Sequence, residues 1–303
     1  MIRDVRAFRL LPALVLLGGI GVTAQQPTFQ AGVDLVNFGV TVMDRQGGLV
    51  TDLSVDDFEL LEDGRPQAVR FFARGDGFDE RVPTHLGLML DTSGSMHADL
   101  KLARSAAIKF LNLLPDAEDI TLVDFDTEVR VARYPQRDFP RLIERIRMRK
   151  PDGWTALYDA VGVYLDGADQ QDGRQVLVLY TDGADSKSAL SFSDTLTLLK
   201  ASRATVYAVG LLEQTGAARH ELRMRLQQMV ATTGGQAFFP SRLEDLDDAY
   251  ASIVREMQAQ YHLGYASTNP AADGAWRKVE IRLKRPHLRL RTRKGYFAPY
   301  QPR

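Results

Sequence analysis

Cysteine is absent from all 303 residues, which excludes disulfides, thiol catalysis and a cysteine-linked lipid anchor. Packing and hydrogen bonding must hold the fold alone. A dominant charge is missing too: 38 Lys and Arg against 39 Asp and Glu leave a formal net charge of -1, with no overall field to gather nucleic acid. No aromatic-basic recognition motif stands out either, so nucleic acid is not an expected partner. Histidine is scarce, and His85, His97, His220, His262 and His287 show no paired spacing of the kind metal sites use. The apolar run at residues 10–22 is shorter than the about 20 residues needed to span a bilayer.

That short run has another use. Arg3, Arg6 and Arg9 precede it and Val22-Thr23-Ala24 follow it, the basic, apolar and small-residue parts of a secretory signal over residues 1–24, with cleavage before Gln25. An exported protein is expected, whether periplasmic, envelope-associated or secreted. The rival, an uncleaved anchor, is weakened by Pro12 and the neighbouring glycines.

The length accommodates one large or two moderate domains, and two are expected. Residues 33–43, 58–61 and 69–72 read as short strands, separated by Asp44-Arg45-Gln46-Gly47-Gly48 and Glu62-Asp63-Gly64, which is turn chemistry. The far end is β-like as well, at 261–266, 279–283 and 288–293. The expected organisation is a small β-sandwich built from residues 25–83, including a link from Gly75-Asp76-Gly77 to Pro83, and residues 261–303, with residues 84–260 inserted between them. Inside the insert, strands and helices alternate: a strand before Asp91, a helix marked by Leu100, Ala103, Ala107, Phe110, Leu111 and Leu114 and ending near Pro115, strands at 120–125, 176–180, 205–211 and 236–239, and helices at 156–168, 192–202, 221–233 and 244–260. Residues 129–132 are read as an antiparallel edge strand, and the arginines near Ile143 as the solvated face of a short helix. This order implies an α/β, doubly wound, mostly parallel sheet covered on both faces.

One loop concentrates the chemistry. Leu86-Gly87-Leu88-Met89-Leu90 is a buried-strand run that ends at Asp91-Thr92-Ser93-Gly94-Ser95, placing one carboxylate and two hydroxyls on alternate residues of a turn. At the carboxyl end of a strand in an open α/β sheet, this is where ligands bind. The simpler reading is that the serines cap the following helix. Two remote stretches favour a hard-cation site: Gly153-Trp154-Thr155 supplies a third hydroxyl, and Val176-Leu177-Val178-Leu179-Tyr180 leads through Thr181 to a second carboxylate, Asp182. Oxygen ligands of this kind suit Mg²⁺, Mn²⁺ or Ca²⁺.

The pattern Asp91-x-Ser93-x-Ser95, then Thr155, then Asp182 resembles the metal-ion-dependent adhesion site of von Willebrand factor type A domains, and the flanking β-rich segments resemble those of bacterial exported relatives. The resemblance covers roughly residues 84–260 and implies a Rossmann-like domain, hydroxyl ligation by Ser93, Ser95 and Thr155, and direct or water-mediated ligation by Asp91 and Asp182. It also implies binding rather than turnover, with Mg²⁺ as the expected ion and Mn²⁺ or Ca²⁺ as alternatives. Two aspartates balance one dication, so an open coordination position would accept a Glu or Asp carboxylate from a partner protein. A third protein carboxylate would instead close the site, and Asp124, Asp126, Asp159 and Asp185 are the candidates. The last helix leads directly to Tyr261 and is expected to be a fixed packing element.

The competing function is a metal-dependent hydrolase or phosphatase with Asp91 as nucleophile. Phosphatases of the haloacid dehalogenase type carry an acid/base Asp two residues later, where this chain has Ser93. Ser93 and Ser95 also lack a Gly-x-Ser-x-Gly elbow, so a non-enzymatic module is expected. Finally, Arg289, Arg291 and Arg293 alternate along a strand pattern and read as a solvated basic face, with attraction to an anionic envelope surface as the sharper alternative.

Overall fold

A computed structural model describes residues 35–74, 83–112, 117–213 and 215–300. The expected signal segment, residues 1–24, and most of the link beginning at Gly75 lie outside the described residues. Four strands come first: β1 (Val36–Met43), β2 (Phe58–Glu62), β3 (Arg65–Gln67) and β4 (Val69–Arg74). After β1 the Asp44 carboxylate accepts from the backbone N–H of Gln46 and Gly48 at 2.9 and 2.7 Å, closing the turn. Asp63 and Gly64 have φ of 47° and 79°, the paired left-handed conformations of a two-residue hairpin between β2 and β3. Pro66 is tolerated in β3 because that strand is the edge of its sheet.

The α/β region follows as β5 (Thr84–Asp91), α1 (Leu100–Asn112), β6 (Asp119–Phe125), β7 (Val129–Pro135), α2 (Phe139–Met148), α3 (Leu157–Asp169), β8 (Arg174–Thr181), α4 (Phe192–Ala201), β9 (Thr205–Gly210), α5 (Arg219–Thr233), β10 (Ala237–Phe238) and α6 (Leu243–Ala259). Six strands form one sheet in the order β10-β9-β8-β5-β6-β7, parallel except for the antiparallel edge strand β7. Central strand β5 is buried along its whole length, so its apolar residues divide between two faces. Leu86, Leu88 and Leu90 pack with Phe110 of α1 and Tyr250 and Ile253 of α6. Met89 packs with Val161 of α3 and Leu226 and Val230 of α5 on the other face. Each such side chain contributes about 1.5–3 kcal/mol by burial, and this two-sided cover forces the continuous apolar pattern.

The chain then returns to β structure with β11 (Tyr261–Tyr265), β12 (Trp276–Leu283), β13 (Arg289–Arg291) and β14 (Gly295–Phe297). Strands from the two ends of the chain interleave in antiparallel sheets ordered β13-β1-β11-β4 and β14-β12-β2-β3. Phe38, Val40, Leu60, Tyr261, Leu263, Val279 and Ile281 share one core, giving the β-sandwich built from both ends. Gln260 alone separates α6 from β11. Buried polar contacts join the two regions: Glu256 of α6 accepts from the Thr41 hydroxyl at 3.1 Å and the Tyr207 hydroxyl at 2.9 Å, and pairs with Arg291.

Two expectations about arginine are corrected. Arg291 also donates to the Gly234 carbonyl at 2.9 Å, while Arg293 donates to the carbonyls of Asn37 and Ser202 at 2.7 and 3.2 Å and lies 4.4 Å above the Phe38 ring. Of the three alternating arginines only Arg289 is exposed. Pairing of β13 with β1 turns Arg291 and Arg293 toward the α/β region, so the three arginines do not form a solvated basic face. Arg145 of α2, read as part of a solvated face, instead donates to the buried Asp124 carboxylate at 3.0 Å, and Arg149 just beyond α2 joins it at 2.7 Å. Among the described residues no helix is long and apolar enough to cross a membrane.

Candidate metal centre

The sheet order converts remote sequence positions into neighbours. From β5 the chain winds outward through β6 to β7, then crosses back to β8 and continues outward on the other side through β9 to β10. The carboxyl ends of β5 and β8 therefore meet where the winding reverses, with Leu90 level with Tyr180. Asp91 ends β5 and Asp182 follows the end of β8.

Asp91 has no solvent exposure. One carboxylate oxygen, Oδ1, accepts from the Ser93 N–H at 3.0 Å and from the Ser93 hydroxyl at 2.6 Å, while Oδ2 accepts from the Thr181 hydroxyl at 2.6 Å. Ser93 Oγ lies 3.1 Å from Ser95 Oγ. The capping alternative fails for Ser93: it precedes the 3₁₀ turn Gly94–His97, yet its side chain makes no capping bond and turns to Asp91. Asp182 is also buried and accepts the Ala184 N–H at 2.9 Å.

The loop carrying Thr155 is stitched to both aspartate loops through its backbone. Gly94 N–H donates to the Gly153 carbonyl at 3.0 Å and Asp152 N–H to the Thr92 carbonyl at 2.9 Å. On the other side, the Thr155 carbonyl accepts from Ser186 and Lys187 N–H at 2.9 and 3.0 Å, and Thr155 N–H donates to Ser186 Oγ at 3.0 Å. Glycine is required at position 153, where φ is 70° and an added Cβ would stand 2.4 Å from Thr127 Oγ1. Asp91, the last residue of β5, and the loops carrying Ser93, Ser95, Thr155 and Asp182 thus lie at the carboxyl end of the sheet. Thr181 was not selected by sequence reading, although a hydroxyl at the last position of a strand, next to Asp182, was its signal.

The electrostatics are unusual for a protein interior. Burial first and the neighbouring Asp182 carboxylate second raise the Asp91 carboxyl to about 7, against the opposing pull of the Ser93 and Thr181 hydroxyls and the Ser93 N–H. Burial likewise raises Asp99, with Asp182 and Glu213 adding repulsion. Among the described residues no lysine or arginine pairs with Asp91 or Asp182. By contrast Asp124, equally inaccessible, is held by Arg130, Arg145 and Arg149 at 2.8, 3.0 and 2.7 Å.

The four carboxylates considered as closing ligands are engaged elsewhere. Asp124 has its three arginines, and Asp126 accepts from Arg130 Nη1 at 3.1 Å. Asp159 accepts the Ala189 and Leu190 N–H groups at 2.9 Å, and Asp185 accepts Tyr158 N–H at 3.1 Å and the Ser188 hydroxyl at 2.5 Å. Among the described residues no three His, Cys, Asp or Glu side chains are grouped to hold a metal. What converges is a buried carboxylate pair with alcohol oxygens, a donor set that fits a hard dication and lacks its counter-charge otherwise.

The catalytic alternatives find less here. Oδ1 of Asp91 accepts two hydrogen bonds and Oδ2 one, and Ser93 stands where a phosphatase of the haloacid dehalogenase type would carry its acid/base Asp. His85 sits near the opposite end of β5, bonded at 2.9 Å to both Asp119 and the Asp172 carbonyl, and among the described residues no histidine bonds Ser93 or Ser95.

Residues 86–184 match the sequence profile of the von Willebrand factor type A domain. The chain carries a von Willebrand factor type A domain. The matched stretch runs from β5 to just beyond β8 and contains Asp91, Ser93, Ser95, Thr155 and Asp182. An uncharacterised protein of Synechocystis sp. is 28% identical over 116 residues, covering 37% of this chain and 28% of that protein. Among solved structures, the PilB minor pilin from Streptococcus sanguinis aligns with a TM-score of 0.47 at 16% identity, over 58% of this chain and 61% of the pilin. The vWF domain of the type V pili tip protein Mfa5 from Porphyromonas gingivalis aligns with a TM-score of 0.47 at 12% identity, over 57% of this chain and 95% of that one. A von Willebrand factor type A protein from Catenulispora acidiphila aligns with a TM-score of 0.46 at 12% identity, over 90% of this chain and 76% of that one.

Proposed function

We propose that this von Willebrand factor type A domain is a non-catalytic adhesion or scaffold module that binds a divalent cation, Mg²⁺ foremost, and uses it to capture an acidic side chain of a partner protein. One observation carries the reading: Asp91 and Asp182 are buried near each other beside hydroxyls, without a basic partner among the described residues. Ser93, Ser95 and Thr155 would supply hydroxyl oxygens, and Asp91 and Asp182 the compensating charge, directly or through water. Such an ion would supply a positive centre for one further carboxylate, because two aspartates neutralise it and three hydroxyls add no charge. The engagement of Asp124, Asp126, Asp159 and Asp185 elsewhere supports a coordination shell left open toward solvent. The basic, apolar and small-residue succession of residues 1–24 supports action outside the cytoplasm, as an exported or envelope protein.

Titration calorimetry of the purified protein with Mg²⁺, Mn²⁺ and Ca²⁺ tests the proposal. Saturable heat is expected with the wild type and none with Asp91→Ala. Absence of binding by all three ions would remove it. Metal-dependent phosphatase or esterase turnover that is lost in Asp91→Ala would favour the hydrolase instead.

A further inference from the structure

Trp154 is the residue immediately before Thr155, and 66% of it is exposed. An indole offers a large apolar face to any partner that covers it. The backbone around Trp154 is hydrogen-bonded on both sides. Trp154 N–H donates to Thr127 Oγ1 at 2.9 Å, the preceding Gly153 carbonyl accepts from Gly94 at 3.0 Å, and Ala156 N–H donates to the Asp126 carbonyl at 2.9 Å. Among the described residues no ring stacks on the indole and no cation covers it. Trp154 is joined directly to Thr155, whose side chain is buried, so an exposed indole and a buried hydroxyl share one short stretch of backbone. A loop hydrogen-bonded to the Ser93–Ser95 turn through Gly153 and Gly94 therefore carries a large exposed apolar side chain next in sequence to Thr155.

Resting on the metal-dependent reading above, we infer that Trp154 is the specificity element of the site, packing against an aromatic or branched aliphatic side chain adjacent in sequence to the partner's metal-seeking Asp or Glu. Two features select this occupant. The ion supplies a strong but indiscriminate attraction for any carboxylate, so discrimination among acidic segments must come from a neighbouring contact. The exposed group nearest in sequence to the ligating hydroxyl is apolar and preorganised, and tryptophan so placed has the character of a binding hot spot. The partner segment is thus acidic at one position and apolar at the next.

The test uses the full chain and two short blocked peptides, one with glutamate followed by phenylalanine and one with glutamate followed by glycine. Binding is followed by indole fluorescence in a Trp276→Phe background, which leaves Trp154 as the single tryptophan of the two in the chain. With Mn²⁺ present, the phenylalanine peptide is expected to bind about tenfold tighter than the glycine peptide and to shift the emission. In a parallel calorimetric titration that preference is expected to vanish in Trp154→Ala and to persist in Trp154→Phe, with Mn²⁺ affinity unchanged in both. An equal preference in wild type and Trp154→Ala, or no binding of either peptide at millimolar concentration to the Mn²⁺-loaded protein, overturns the assignment of Trp154 and leaves the metal site standing. Absence of any Mn²⁺ heat in the wild type removes the metal reading and this inference with it.

Discussion

Asp91 and Asp124 stand one residue apart in register on the adjoining strands β5 and β6, neither has any solvent exposure, and only Asp124 is answered by arginine. Asp124 pairs with Leu90 and shares its face, toward α2, where three guanidinium groups reach it. Asp91 receives hydroxyls and an amide instead. The same side chain at nearly the same height is thus structural in one strand and left short of positive charge in the next.

Replacement of Asp91 by Asn should separate the folded state from the metal-loaded one. With free Mg²⁺ or Mn²⁺ at about a hundred times the Kd, the wild type should gain about 2.7 kcal/mol of stability. Asp91→Asn should gain nothing, yet in chelator it should unfold at or above the wild-type temperature, because the repulsion with Asp182 is gone. Thermal denaturation of both proteins with and without metal reads both effects.

Asp124→Ala should behave in the opposite way. It leaves three partly buried arginines without their shared carboxylate and should cost about 3 kcal/mol in chemical denaturation. Metal affinity in the folded fraction should remain that of the wild type. A loss of metal binding at native temperature would place Asp124 in the site.

The contact of Glu256 with Arg291, Thr41 and Tyr207 should couple the sandwich to the α/β region. A double-mutant cycle with Glu256→Gln and Arg291→Gln should return a coupling energy of about 1–3 kcal/mol, within the range measured for contacting pairs in one network. A value near zero would mean that α6 is not clamped through this pair.

His262 gives an acid-sensitive component. Burial, reinforced by the Arg174 charge, depresses its imidazole from the ordinary 6.5 to about 3. The unfolded chain therefore binds the extra proton between those values and the folded chain does not, so stability is full above about pH 6.5 and falls as pH is lowered. The loss from this residue should reach about 2 kcal/mol near pH 5. A His262→Gln variant should lack that share of the acid sensitivity when both are denatured in urea across this range.

Much of the fold was legible because periodicity reports cover. The unbroken apolar runs ending at Leu90 and Tyr180 are too short for a helix and stop at turn residues, which marks strands covered on both faces, and the spacing of Leu100, Ala103, Ala107, Phe110 and Leu111 marks a helix with one buried side. The three-residue strands β3 and β14 escaped notice because so short a stretch has no period, and Pro66 argues against a strand until the edge position is known. The arginines were misread for a related reason. Alternation shows that Arg289, Arg291 and Arg293 share a face, but not whether that face meets water or the α/β region.

By its own pattern, the chain determined which stretches become strands and helices, and which few oxygen-bearing residues sit where strands end. Those properties are local, set by side-chain period and turn chemistry over a handful of residues. Only the tertiary structure decided which carboxylates receive a counter-charge, that Thr181 serves Asp91, and that an indole stands bare beside Thr155. Each of these depends on segments distant in sequence meeting at one sheet edge, and burial and charge at such a meeting point are properties of the assembled neighbourhood rather than of any one segment.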